Sequence, residues 1–239
     1  RHWNGGGNLD GDPNGLLELA LHAAAWLAIS LALYERAPQL DTPVVRWGWK
    51  ILGALGAFAA ICGSLIIGNP LDSRESVGAW PLFNMLGLAY LVPALLAGRF
   101  AMTATGRGHA RLASIVGGAA LVFGFVYLSL EVTRAFRGSV LSAADLSDGE
   151  MYTYSAVWLL YGIGLLVLGL WLGLASLRYA ALAMVGLTIL KVFLYDMAAL
   201  AGVLRVLSFL GLGLSLLGLA WVYQRFVLGA VRKSVASSP

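Results

Sequence analysis

The chain has 239 residues, 59% of them hydrophobic and only 12% charged, with a mean hydropathy of +0.81. Soluble domains carry about a quarter charged residues, so a soluble globular protein is excluded, and 30 glycines scattered through Leu, Ala and Val runs exclude both collagen and a polar disordered tail. A formal charge of +4 rests on 16 basic and 12 acidic residues, and the single cysteine, Cys62 within an apolar run, excludes a disulfide framework and a thiolate metal centre.

About 20 apolar residues cross a hydrocarbon core of about 30 Å, and the sequence offers seven such runs. The expected fold is all-α, a polytopic transmembrane helix bundle of about seven spans. Residues 1–14, RHWNGGGNLDGDPN, read as an outer polar segment. Asn8, Asp10, Asp12 and Asn14 have the spacing of a calcium loop, but Pro13 holds its glycine position and no later acid completes it, so no metal site is expected. The first span, 15–34, carries Glu18 and His22 four apart on one face. The second is 49–68. The third, 82–99, has Pro81 at its first turn and Pro93 inside, where a kink is expected. The fourth, 111–131, ends on Glu131 and Arg134. Ser147-Asp148-Gly149-Glu150 has the form of a capping box ahead of the fifth span, 153–174. Tyr154, Trp158 and Tyr161 form one stripe on that span and read as packing, as do Gly169 and Gly173, a G-x-x-x-G pair. The sixth span, 178–197, holds Lys191 and Asp196. The seventh, 204–225, opens at Arg205 and carries Gly211, Gly213 and Gly218 as a small-residue face. Residues 15–226 thus form a single transmembrane domain, with 227–239 as a cytoplasmic tail.

Basic residues are retained on the cytoplasmic side. Counted by alternate connections, one side collects ten basic residues, Arg107 and Arg111 among them, against Glu35 and Asp41; the other has six basic and ten acidic. The N-terminus is therefore expected outside and the C-terminus inside. Trp and Tyr favour the headgroup level: Trp47, Trp49, Trp171, Tyr179, Trp221 and Tyr223 mark an inner belt, and Trp80, Phe83, Tyr152, Tyr154 and Tyr195 an outer one.

An ionisable residue at mid-span costs about 2.5–3.5 kcal/mol even on the mild insertion scale. Those within or at the edges of spans gather in the outer half: Glu18, Glu131, Arg134, Lys191, Asp196 and Arg205, three acids and three bases. Asn84, Tyr154 and Ser208 line the same region. On a regular α-helix Lys191 and Asp196, five apart, diverge by about 140° and should not pair. The expected partners are Arg205 for Asp196 and Glu131 or Glu18 for Lys191. The neutral sum favours a structural ion-pair network over a substrate, lipid-headgroup or proton site.

His22 and His109 lie on opposite sides, which excludes a bis-histidine haem or a zinc triad, and no nucleotide, hydrolase or metalloprotease motif occurs. No cofactor is expected. The inner basic residues read as topology determinants beside anionic lipid, with no nucleic-acid surface.

The segment RYAALAMVGLTILKVFLYDMAALAGVLRVLSFLGLGLSLLGLAWVYQRF, residues 178–226, closely resembles the C-terminal signature of the bacterial membrane-protein family catalogued as domain of unknown function 2339, in which K-V-F-L-x-D precedes R-V-L-S-F-L-G-L-G and Y-Q-R. PLFNMLGLAYLVPALLAGRF at 81–100, FVYLSLEVTRAFRG at 125–138 and YSAVWLLYGIGLLVLG at 154–169 extend the resemblance over at least residues 80–226. It implies that the chain is the C-terminal part of a longer protein, and that Lys191, Asp196, Arg205, Ser208 and Phe209 belong to the strongest motif, with Glu131, Arg134 and Asn84 in weaker ones.

The expected function is that of an uncharacterised integral protein of the bacterial inner membrane: a scaffold, accessory subunit or transport module of the cell envelope, with no catalytic centre. Its expected partners are membrane lipids and membrane-protein subunits. The alternative from another class is an envelope enzyme acting on a lipid-linked sugar or phospholipid at the outer face, with Glu131 or Asp196 as acid/base and Arg134, Lys191 and Arg205 on phosphate.

Overall fold

The computed structural model describes residues 15–40, 42–71, 77–78, 80, 84–141, 146–196, 209–211, 213–214 and 217. The 1–14 segment, the 227–239 tail and most of the expected seventh span lie outside them. The chain divides into two units, Arg1–Val185 and Gly186–Pro239.

Six helical segments among the described residues are long and apolar enough to cross a membrane. Helix α1 spans Gly15–Arg36; α2, Pro43–Phe58, continues as a π-helix over Ala59–Ile67. Helix α3, Val92–Gly106, is preceded by a π-helical Gly87–Leu91; α4 is Ala110–Arg137, α5 Asp148–Trp171 and α6 Ala175–Lys191, which runs into a π-helical Val192–Asp196. No strand occurs among the described residues. The chain is an all-α, multi-pass membrane protein.

The six segments match the apolar runs, and their ends depart from them where caps decide. Helix α2 starts six residues before the expected position because Thr42 Oγ1 accepts the Val45 amide at 3.4 Å and Pro43 suits the first turn. Arg46 and Lys50 then ride on its exposed face. Pro93 is absorbed without a break: a proline at this position supplies no amide to Ala89, and the π turn before it shifts the ladder by one residue, so that Val92 N–H donates to Gly87 O. Helix α5 ends in a Schellman motif. Gly173 takes φ +67°, Leu174 N–H donates to Gly169 O at 3.0 Å and Gly173 N–H to Leu170 O at 3.4 Å. This corrects the reading of Gly169 and Gly173 as one packing pair. Gly173 is the left-handed stop signal, whereas Gly169 lets the start of α6 approach, with the backbone N of Arg178 only 3.0 Å from where a Cβ would stand.

In the first unit α1 packs on α2 and α3, α3 on α4, and α4 on α5. One buried cluster joins Leu16, Ala20 and Ala23 of α1 to Leu86, Tyr90, Phe123, Tyr127 and Leu130, near the α4–α5 connection. The flanking segments are folded into it: Val77 and Leu141 are fully buried there, and Val77 N–H donates to Ser139 O at 2.8 Å. A second cluster, Leu31, Tyr34, Phe100, Ala104 and Ala113, fills the end near the α3–α4 connection.

Candidate functional site

The polar residues at the α4–α5 end are built on helix spacing. Glu131 and Arg134 stand at i and i+3 on α4, which places Arg134 Nε 2.8 Å from Glu131 Oε2. The other carboxylate oxygen, Oε1, accepts from Asn84 Nδ2 at 2.5 Å. Asn84 in turn accepts the Gly87 amide on its Oδ1 at 2.9 Å, so the same side chain starts the π turn of α3 and orients the carboxylate. Glu131 and Arg134 have side chains only 14% and 11% exposed.

One turn further on, Arg137 forks onto Glu150, with Nε 3.1 Å from Oε1 and Nη2 3.2 Å from Oε2. Glu150 is buried at the first turn of α5, and this pair locks the end of α4 to the start of α5. The capping-box reading is half right. Ser147 Oγ accepts the Glu150 amide at 3.2 Å, but the Glu150 carboxylate serves Arg137 and not the backbone. The sequence signal for this pair was Glu150 itself, an acid three residues after a Ser. Its partner 13 residues earlier carries no local signature.

The aromatic stripe of α5 forms the rest of the α4–α5 seam. Tyr154 Oη meets Thr133 Oγ1 at 2.5 Å, Trp158 Nε1 donates to Ser129 Oγ at 3.1 Å, and Tyr161 Oη donates to Leu121 O at 2.8 Å. The stripe therefore packs, as its spacing predicts. Tyr154 leaves the expected outer belt for this seam, and Trp49 leaves the inner one to meet Tyr34 edge-on at 4.9 Å; Trp47, Trp80, Trp171, Tyr179 and Tyr195 remain exposed.

In the second unit Lys191 Nζ lies 2.7 Å from Asp196 Oδ1, with both side chains largely buried. This overturns the expectation that the two diverge. The reason is local: residues Val192–Asp196 are π-helical, and i→i+5 closure stacks residues five apart on one another, where an α-helix would stack residues four apart. Arg205 and Ser208 lie outside the described residues, as does the proposed Asp196–Arg205 contact. Glu131, expected as an alternative partner for Lys191, is bound by Arg134 and Asn84. Glu18 is exposed on α1 and makes no hydrogen bond or ion pair through its side chain among the described residues; its backbone O contacts His22 Nδ1 at 2.8 Å. No group of three or more His, Cys, Asp or Glu that could hold a metal occurs among the described residues.

A further polar node, absent from the sequence reading, sits at the α3–α4 end. Arg107, just past α3, donates through Nη1 to Tyr34 O and through Nη2 to Glu35 O at 2.9 Å, capping the C-terminus of α1. Its guanidinium lies 4.5 Å from the Tyr34 ring centre, and Tyr34 Oη meets His109 Nδ1 at 2.7 Å. Arg99 pairs with Glu35 at 2.9 Å.

A family model described as Predicted membrane protein (DUF2339) matches residues 1–226. The chain belongs to this family. The match reaches through the first spans and so covers more of the chain than the motifs that carry the resemblance. No curated protein and no solved structure matches the chain. As a DUF2339 member it is a membrane protein with several apolar helices.

Proposed function

We propose that this chain is a scaffold, accessory subunit or transport module of the bacterial cell envelope, seated in the inner membrane with its N-terminus outside and its C-terminus inside, and that its outer-leaflet polar residues hold helices together. The observation that supports this reading is the closure of the charges on one another: Glu131 with Arg134, Glu150 with Arg137 and Lys191 with Asp196. Both oxygens of Glu131 and of Glu150 are occupied by donors of this chain. Of these pairs, Arg137–Glu150 joins α4 to α5 and Glu131 also holds Asn84 ahead of α3, whereas Glu131–Arg134 and Lys191–Asp196 each neutralise charge within one helical segment. An enzyme using Glu131 or Asp196 as acid/base would first have to release each from its cation.

Two experiments test the reading. Reporter fusions at residues 107 and 140 are expected to report the cytoplasm and the outer side respectively; residue 107 outside removes the orientation. Isolation in native nanodiscs with quantitative mass spectrometry is expected to return another membrane protein at fixed stoichiometry. A homogeneous chain accompanied by bulk lipid alone overturns the subunit reading.

A further inference from the structure

The first unit contains an apolar groove of about 360 Å³ whose floor is made by α1 and α3 and whose walls are α2 and α4. On α2 and its π-helical continuation it runs along Lys50, Gly53, Ala54, Ala57 and Ile61; on α4 it runs from Leu112 to Phe123. Each wall covers twelve residues, a rise of about 16 Å, close to half of the roughly 30 Å hydrocarbon thickness. The groove is thus one leaflet deep. The small side chains of Ala54 and Ala57 open it, Gly53 lies against α1 with Ser30 Oγ 2.8 Å from where a Cβ would stand, and the one lining hydroxyl, Ser30, is spent on Trp49 O at 2.7 Å. The interior offers nothing to a polar ligand.

The mouth is different. Lys50 lines it, with Nζ 5.0 Å from the Trp47 ring and 5.6 Å from the Trp49 ring, and no carboxylate pairs with it among the described residues. Trp49, Leu112 and Ile115 also line a shallow concavity that carries His109 and Arg111. Lys50 and Arg111 are both exposed. A one-leaflet apolar slot ending at unneutralised cations flanked by indole rings has the polarity of a single lipid molecule: hydrocarbon within, an anionic headgroup at the interface.

We propose that this groove holds one acyl chain of an anionic glycerophospholipid, with the lipid phosphate on Lys50 and Arg111. The site is independent of the subunit reading, because it uses neither the polar cluster nor a protein partner. The occupant is a lipid, and not a helix of another protein, because the slot is walled on both sides and its charges sit at the mouth alone.

The test uses the full chain in phosphatidylcholine nanodiscs doped with phosphatidylglycerol bearing a photoactivatable diazirine near its acyl end, with adducts mapped by mass spectrometry. Adducts are expected on residues 54–61 and 115–123, competed by unlabelled phosphatidylglycerol and not by phosphatidylcholine of the same chains. The K50Q/R111Q double variant is expected to lower labelling about thirtyfold, about fivefold for each of the two cations beside an anionic headgroup. Ala57→Phe is expected to abolish it by filling the slot. Should A57F fail to fold, K50Q/R111Q, altered only at exposed positions, decides the matter. Equal competition by phosphatidylcholine, or adducts spread evenly over α5 and α6, marks bulk lipid and overturns the proposal. So does an unlabelled groove that crosslinks to a second copy of the chain.

Discussion

Replacing Arg137 by Gln strands the Glu150 carboxylate, whose side chain is 3% exposed, beside α4 without its cation. Breaking a buried pair from one side costs about 3–5 kcal/mol, because the remaining charge keeps its desolvation penalty and loses its compensation. The attraction of the α5 N-terminus for an acid in its first turn is the same before and after the change and does not offset the loss, which places Arg137→Gln at about 3–5 kcal/mol. Glu150→Gln should cost less. It leaves Arg137, 14% exposed and able to extend its long side chain toward the interface, while the Gln side chain still accepts one of the two bonds. The double variant should lie well below the sum of the singles, with a coupling of about 1–3 kcal/mol. Equilibrium unfolding in mixed detergent and SDS micelles, run as a double-mutant cycle, measures all three. Two singles within about 0.5 kcal/mol of the parent, or strictly additive effects, would refute the view that this pair locks α4 to α5.

Gly169→Ala should destabilise more than Gly164→Ala, since a Cβ at 169 meets the Arg178 backbone at 3.0 Å and one at 164 meets nothing within 4 Å; melting of the two variants side by side checks this. Gly173→Ala should cost about 1–2 kcal/mol through its left-handed backbone at φ +67°, with unchanged helicity by circular dichroism. Tyr154→Phe leaves the buried Thr133 hydroxyl with a lost partner and should cost about 1 kcal/mol, recovered in part by adding Thr133→Val. Arg107→Ala should loosen the end of α1, read as faster amide exchange over residues 33–37, with Arg107→Lys recovering only part because an ammonium cannot fork across two carbonyls.

The ion pairs illustrate how far local patterns reach. Glu131 with Arg134 follows from i,i+3 spacing, and the structure adds Asn84 from the bend ahead of the third span. The cost of burying charge marks Lys191 and Asp196 in the sequence, but their pairing depends on π-helical winding over Val192–Asp196, which apolar periodicity does not distinguish from α-helical winding. The Arg137–Glu150 pair joins residues across a connection, and nothing in the spacing of 13 marks it.

What the sequence determined by itself is what depends on composition and on period: an all-α membrane protein, its six described spans, the stripe of Tyr154, Trp158 and Tyr161, and the family to which the chain belongs. Apolar length and helical phase are local properties, readable without neighbours. Only the tertiary structure decided that Glu150 serves an arginine and not its own helix cap, that Arg107 closes α1, that π turns sit before Pro93 and after Lys191, and that α2 and α4 stand apart around a groove. Those features depend on which helix faces meet, and a one-dimensional pattern of apolar residues in a membrane leaves many such meetings equal in hydrophobic energy, so packing and hydrogen bonding choose among them.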